Sequence, residues 1–185
     1  TSAPVVPDCT RHFLDHIPFD ELWSFTNPLM LYGRHLGVRG AEVRLLVQGK
    51  LDEVSSGAKD VWKVVHDLKE EYRDILWKPR GIFQFFPVSS FENTLYFHDP
   101  AHIDKNKVLE AIEFPRRPGP NGLCLADYVR TVDDTEIDYL GIFIVTSSQR
   151  LRSEVTILKN SGEFFKAHAI QAMALELAEA CAEFL

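Results

Sequence analysis

Apolar positions recur at helical spacing over two long stretches of the chain and run almost unbroken over one short one. From Ala41 to Leu76, Val54, Val61, Val64, Val65 and Leu68 fall three and four residues apart, the period of one buried helix face. Gly49 and Gly57 divide this stretch, since each glycine costs about 1 kcal/mol relative to alanine inside a helix. A second such stretch runs from Gly162 to the end, with Phe165, Ala169, Ile170, Met173, Ala174, Leu177, Cys181 and Phe184 on a wide stripe. No C-cap glycine or proline closes it, which suggests that the natural helix continues. Leu151 to Asn160 reads as a further helix, and Asp20 to Trp23 as a short one broken by Asn27-Pro28. Leu29 to Tyr32 starts another helical turn before Gly33, Gly37 and Gly40 loosen the chain.

Strand signals are fewer. Ile82 to Phe86 is aromatic and β-branched and is expected to stop at Pro87. Thr94 to Phe97 is a second strand, paired antiparallel with the first through a turn at Glu92-Asn93. Ile112 to Pro115 is extended, and Arg116 to Gly122 is a Pro/Gly-rich loop. Asp138 to Thr146 is the strongest strand signal, and its continuous apolar run predicts a central strand covered on both faces. Residues 1 to 18 read as irregular. Helices around a few strands without strict βαβ alternation give an α+β fold.

Composition narrows the class. The 185 residues are 45% hydrophobic and 25% charged, enough for one globular domain with a substantial core, spanning 1–185. No apolar run is long enough to span a membrane, and Thr1 to Pro7 does not resemble a signal peptide. A net charge of −7 without a basic run argues against nucleic-acid binding. Three scattered cysteines (Cys9, Cys124 and Cys181) have neither disulfide-scaffold nor zinc spacing, so a reducing, cytoplasmic setting is expected.

The motif screen is negative for GxGxxG, P-loop, HExxH and GxSxG patterns. His12 and His16, and His98 and His102, are four apart but lie outside any clear helix, so no metal site and no catalytic residue is assigned. Cys124 lies among apolar residues and reads as a small buried hydrophobe, leaving an independent hydrolase little support. Arg116-Arg117 could meet an anion, although two loop arginines are usually just solvated. Glu179 and Glu183, one turn apart on the last helix, are either two solvated carboxylates or a pair of which one holds a cation in a cleft. Asn27 is either a turn residue or a hydrogen-bonding group for a ligand's amino or carboxylate end.

Five ordered blocks carry a family resemblance. They are Ile17-Pro18-Phe19-Asp20-Glu21-Leu22 with Phe25-Thr26-Asn27; Lys78-Pro79-Arg80-Gly81 leading to Phe85-Phe86-Pro87; and Phe114-Pro115-Arg116-Arg117 with Leu123-Cys124-Leu125-Ala126-Asp127-Tyr128. Asp138-Tyr139-Leu140-Gly141 and Leu177-Ala178-Glu179-Ala180-Cys181-Ala182-Glu183 complete the set. Together they resemble the AdoMet-binding activation domain at the C-terminal end of cobalamin-dependent methionine synthase. The resemblance implies a helmet-like α+β fold with a twisted, mainly antiparallel sheet flanked by helices. It implies S-adenosylmethionine as this domain's ligand, cobalamin on a partner domain, and zinc elsewhere in the full-length methyltransferase, which moves a methyl group from methyltetrahydrofolate to homocysteine. The implied partners are the cobalamin-binding domain and a flavodoxin-type or flavoprotein reductase electron donor.

By position, Glu179 matches a family carboxylate that contacts AdoMet, and Asn27 falls where many members carry aspartate. The family's Arg-Pro-Ala-Pro-Gly-Tyr-Pro segment, which supplies much of the AdoMet contact, has no counterpart in these residues, so the chain reads as a partial domain. That absence, with the departure at Asn27, keeps open a non-catalytic docking module that contacts a cobalamin domain or electron donor without binding AdoMet.

Overall fold

A computed structural model describes residues 5–15, 17–101, 107–120 and 122–185. The chain divides into two compact units. One is mainly helical and comprises Phe13–Gly81 and Ile144–Leu185; the other is built on strands and holds Ile82–Phe143 with the segment ending at His12.

In the helical unit, α1 (Phe19–Ser24) is followed by a π-helical segment, Leu29–His35, and then by α2 (Gly40–Val47). Helical structure therefore passes through Gly33 and reaches His35. Gly49 ends α2 in the left-handed region with φ 75°, as a stop signal requires. The second expected break falls one step earlier than Gly57. Ser55 caps α3 (Ser56–Glu71) by accepting from the Ala58 backbone N–H at 3.3 Å, and Gly57 sits in the first turn. A hydroxyl with a cap to make outweighs the weak propensity of one glycine. The helix ends at Glu71, and turns carry the chain to Leu76.

The last two helices are α4 (Leu151–Asn160) and α5 (Phe164–Phe184), joined through Gly162 at φ 81°. α5 packs against α1, α3, α4 and the π-helical segment. A helix with neighbours on so many sides needs the wide apolar stripe read from its sequence, and alanines let its neighbours approach. Leu22, Leu31, Leu46, Val65, Leu68, Ile170, Met173 and Leu177 are fully buried in this unit's core.

The strands are β1 (His12–Leu14), β2 (Arg80–Phe91), β3 (Thr94–His98), β4 (Val108–Glu113) and β5 (Asp138–Thr146). Their order is β1-β2-β3-β4, with β5 also paired to β2. β1 corrects the expectation that residues 1–18 are wholly irregular. β2 likewise continues through Pro87 instead of stopping there. The antiparallel ladder with β3 starts at Val88, so the residue that cannot donate sits just before the paired run. The partners of Thr94 to Phe97 are accordingly Phe91 to Val88, not Ile82 to Phe86. The two-residue turn is as expected, with Glu92 in the left-handed region at φ 53°.

β3 pairs antiparallel with β4, which starts earlier than the expected extended stretch and is exposed along its whole length. The core of this unit is a small cluster of Val88, Leu95, Phe97, Cys124 and Ala126. β5 has the expected bounds but not the expected environment: Gly141 to Ile144 are exposed, Ile144 at 70%. A continuous apolar run carries no alternation that could separate a covered strand from an exposed one. Gly141 has a packing reason to be glycine, since a Cβ there would sit 3.2 Å from the Phe85 ring. The fold class is the expected α+β with a mainly antiparallel sheet.

Candidate ligand-binding site

Asn27 follows the end of α1 and precedes Pro28. Its Oδ1 accepts from the backbone N–H groups of Leu29 at 3.0 Å and Met30 at 3.3 Å. The side chain thus satisfies two of the donors a helix start leaves open, and the turn-residue reading is what the geometry displays. Asn27 is exposed, and its amide NH2 has no partner among the described residues.

Glu179 and Glu183 are exposed on the last turns of α5 and make no hydrogen bond or ion pair among the described residues. Two contacts nevertheless bring their stretch of helix alongside the segment that carries Asn27. At one end Phe25 packs edge-on against Phe184, ring centroids 5.9 Å apart. At the other, His35 Nε2 donates to Glu176 Oε1 at 3.0 Å, and His168 Nε2 donates to the His35 carbonyl at 2.9 Å. Asn27 lies in sequence between Phe25 and His35, and Glu179 lies between Glu176 and Phe184. The helical rise separates the two anchor points on α5 by about 12 Å. At about 100° per residue, Glu179 projects about 60° and Glu183 about 20° from the direction of Glu176. The three carboxylates therefore share one flank of the seam. Phe25, Leu29 and Met30 are part-exposed apolar side chains on the neighbouring segment.

Three surface cavities of about 350, 420 and 320 Å3 in the helical unit are lined by other residues. The first gathers Lys78, Arg80 and Arg150, and the last lies between Leu36 and Val61. The seam offers an open, acidic and partly apolar surface.

Glu176 is the residue that sequence reasoning missed. It is 3% exposed, inside the stripe of α5. A signal was present: a carboxylate one helical step from Met173 and Leu177 is rarely buried without a partner. Finding that partner required the fold, because His35 is 141 residues away.

The Leu-Cys-Leu-Ala-Asp-Tyr block has a structural role in the strand-built unit. The Asp127 carboxylate accepts from Arg116 Nη1 at 2.9 Å and Nη2 at 2.8 Å, and from the Cys124 backbone N–H at 2.9 Å. Arg116 Nη2 also donates to the Glu92 carbonyl at the hairpin turn. The Arg116 guanidinium, followed by the Cys124 N–H, holds the Asp127 carboxyl below its usual range. Arg116 is therefore committed to the fold, whereas its neighbour Arg117 is exposed. Cys124 is buried, as expected of a small apolar side chain. His12 lies on β1, stacked on Phe83 and bonded to Asp8 at 2.9 Å, which helps hold the Asp8 carboxyl down to about 2 after the leading contribution of Thr10. His98 bonds Ser89 at 2.8 Å. His16 and His102, their expected four-residue neighbours, lie outside the described residues. No group of three metal-ligating side chains occurs among the described residues.

The architecture is that of a solved protein: the fold matches the crystal structure of the MetH reactivation domain bound to AdoHcy. The TM-score is 0.83 with 20% sequence identity, over 100% of this chain and 56% of that one. The chain thus spans little more than half the length of that relative. Residues 10–185 match the family model described as the vitamin B12 dependent methionine synthase activation domain, and the chain belongs to that family.

Proposed function

We propose that this domain binds S-adenosylmethionine along the seam between α5 and the 25–35 segment and presents its methyl group during reactivation of methionine synthase. The observation that supports this reading is that the stretches carrying Asn27 and Glu179 are joined by the Phe25–Phe184 and His35–Glu176 contacts. Family membership and the AdoHcy bound to a protein of the same fold support the choice of ligand.

The chemistry fits. AdoMet carries a sulfonium and an ammonium, and α5 presents Glu179 and Glu183 to one side of the seam. A carboxylate beside a cation contributes most where water is partly excluded, as the exposed rings and aliphatic chains of Phe25, Leu29 and Met30 would do. Because Oδ1 of Asn27 is already bonded to backbone N–H groups, the group it offers a ligand is a donor. That suits the ligand's carboxylate better than its ammonium, so asparagine here meets a different group of the ligand than an aspartate would. Glu179 then holds the α-ammonium while Asn27 meets the α-carboxylate on the same carbon. With its methionyl end fixed in this way, the sulfonium methyl is presented in a fixed direction, and an intermolecular transfer becomes effectively intramolecular.

When docked, cobalamin of the partner domain supplies the reduced cobalt that accepts the methyl group, leaving S-adenosylhomocysteine. The electron for that reduction is assigned to a flavodoxin-type or flavoprotein donor. In the whole protein this serves methyl transfer to homocysteine. None of the helices among the described residues is long and apolar enough to cross a membrane. The thiols of Cys9, Cys124 and Cys181 suit a reducing cytoplasm.

Titration calorimetry with AdoMet on the full-length protein tests the reading. Heat in the wild type that falls at least about tenfold in affinity in Glu179→Ala is the expected result. Unchanged affinity in Glu179→Ala and Asn27→Ala would remove the seam as the ligand's location. The exposure of Glu179 on an open surface favours one alternative, a module that docks a cobalamin domain without AdoMet. Wild-type protein that gives no heat with AdoMet yet retains a cobalamin domain in a pull-down would establish it.

A further inference from the structure

The buried carboxylate Glu176 has no place in the ligand contacts just described, and its partner His35 ends a helical segment of unusual winding. π-Helical turns are rare, cost hydrogen-bond geometry, and persist where surrounding contacts determine them. Here the Leu29–His35 segment is fixed at three points. Its start is capped by the Asn27 side chain. In its middle, Tyr32 is buried and stacks on Trp62 of α3 with centroids 5.1 Å apart. Its end is held twice to α5, through the His35 ring to Glu176 and through the His35 carbonyl to His168.

The first two anchors leave the segment's position along α5 unset, because one is internal and the other reaches a different helix. Phe25 on Phe184 holds the chain before Asn27 to the end of α5, and the His35 anchors fix which turn of α5 lies beside the end of the segment. Glu176 is one helical step before Glu179, so the same contact sets the spacing between Glu179 and Asn27.

We infer that His35 and Glu176 form a latch that positions the Asn27 segment against the Glu179 turn, and that AdoMet affinity depends on it although neither residue touches the ligand. This inference rests on the ligand reading given above. Glu176 is 3% exposed and its Oε1 is bonded to His35, which sets it apart from the exposed Glu179. A buried carboxylate without its donor is costly, so removing His35 drives the segment to rearrange.

Two measurements on the full-length protein separate this from a general packing role. Amide hydrogen exchange of residues 29–37, without ligand, reads the latch directly. Calorimetry with AdoMet reads its consequence. In His35→Ala the exchange of these amides is expected to accelerate at least about tenfold while that of α3 is unchanged, and AdoMet affinity is expected to fall by a similar factor. His35→Gln, whose amide can still donate to Glu176, should restore most of both. If Glu176→Ala fails to fold, His35→Ala and its glutamine rescue decide the matter alone.

Unchanged exchange and affinity in His35→Ala, in protein whose wild type binds AdoMet, would overturn the latch and leave the ligand reading standing. Equal loss in His35→Gln and His35→Ala would overturn it also, since bulk packing would then be the cause. A wild type silent toward AdoMet would overturn the ligand reading and the affinity claim with it, and exchange would then decide whether the latch holds the segment.

Discussion

The helical unit and the strand-built unit are stabilised differently. In the helical unit long apolar side chains from four helical segments converge on α5, and most of the core is aliphatic. The strand-built unit buries only a handful of side chains and leaves β4 and half of β5 facing outward. It relies instead on directed polar contacts: the Arg116–Asp127 fork, the Arg130 ion pairs with Asp134 and Glu136, and the Ser90 hydroxyl on the Val129 carbonyl. Burial makes a scaffold that tolerates exposed polar side chains along its edge. Directed bonds hold irregular loops in place, and each one matters individually.

The largest test of that contrast is cavity formation. Leu177→Ala, at a fully buried site on α5, is expected to cost about 3–4 kcal/mol in urea unfolding. Leu95→Ala in the smaller cluster should cost less, about 2 kcal/mol, because exposed surroundings can collapse more readily. Equal losses would erase the difference between the units. Next in size, Asp127→Ala should release the 116–128 loop with little effect on the helices, seen as faster exchange at the Cys124 amide.

Acid should do the same reversibly. The folded-state carboxyl of Asp127 lies below its ordinary value, so its contribution is complete above that value and is lost as pH falls through the depressed one. Loop opening is therefore expected below about pH 4, with no counterpart in neutral solution. NMR of the 122–128 amides against pH would follow it. The smallest effect belongs to the proposed ligand face: Glu179→Ala should change unfolding free energy by less than about 0.5 kcal/mol, since its side chain is exposed. A large stability change there would mean that Glu179 belongs to the scaffold.

The periodic part of this architecture was open to sequence reasoning. The bounds of α4 and β5, the hairpin turn at Glu92-Asn93 and the stripe of α5 follow from spacing and turn chemistry. The environment of β5 was not readable, because an unbroken apolar run looks the same whether covered or bare. Pro87 misled for a related reason, since whether a missing N–H matters depends on which strand edge it faces. Of the proposed site, Asn27 and Glu179 come from family position, while the His35–Glu176 contact depends on tertiary proximity across most of the chain. What sequence did offer, a carboxylate inside an apolar stripe, announces a partner without identifying it.

β4 has a practical consequence for handling the isolated domain. Val108, Leu109 and Ile112 are exposed beside Glu110 and Glu113 on a strand that ends the sheet order, and among the described residues only β3 pairs with it. Such a rim is a template for lateral growth from one molecule to the next, held back by the Glu110 and Glu113 charges. Colloidal behaviour should therefore worsen with salt and with acid, as those two charges are screened or neutralised, long before the helices melt.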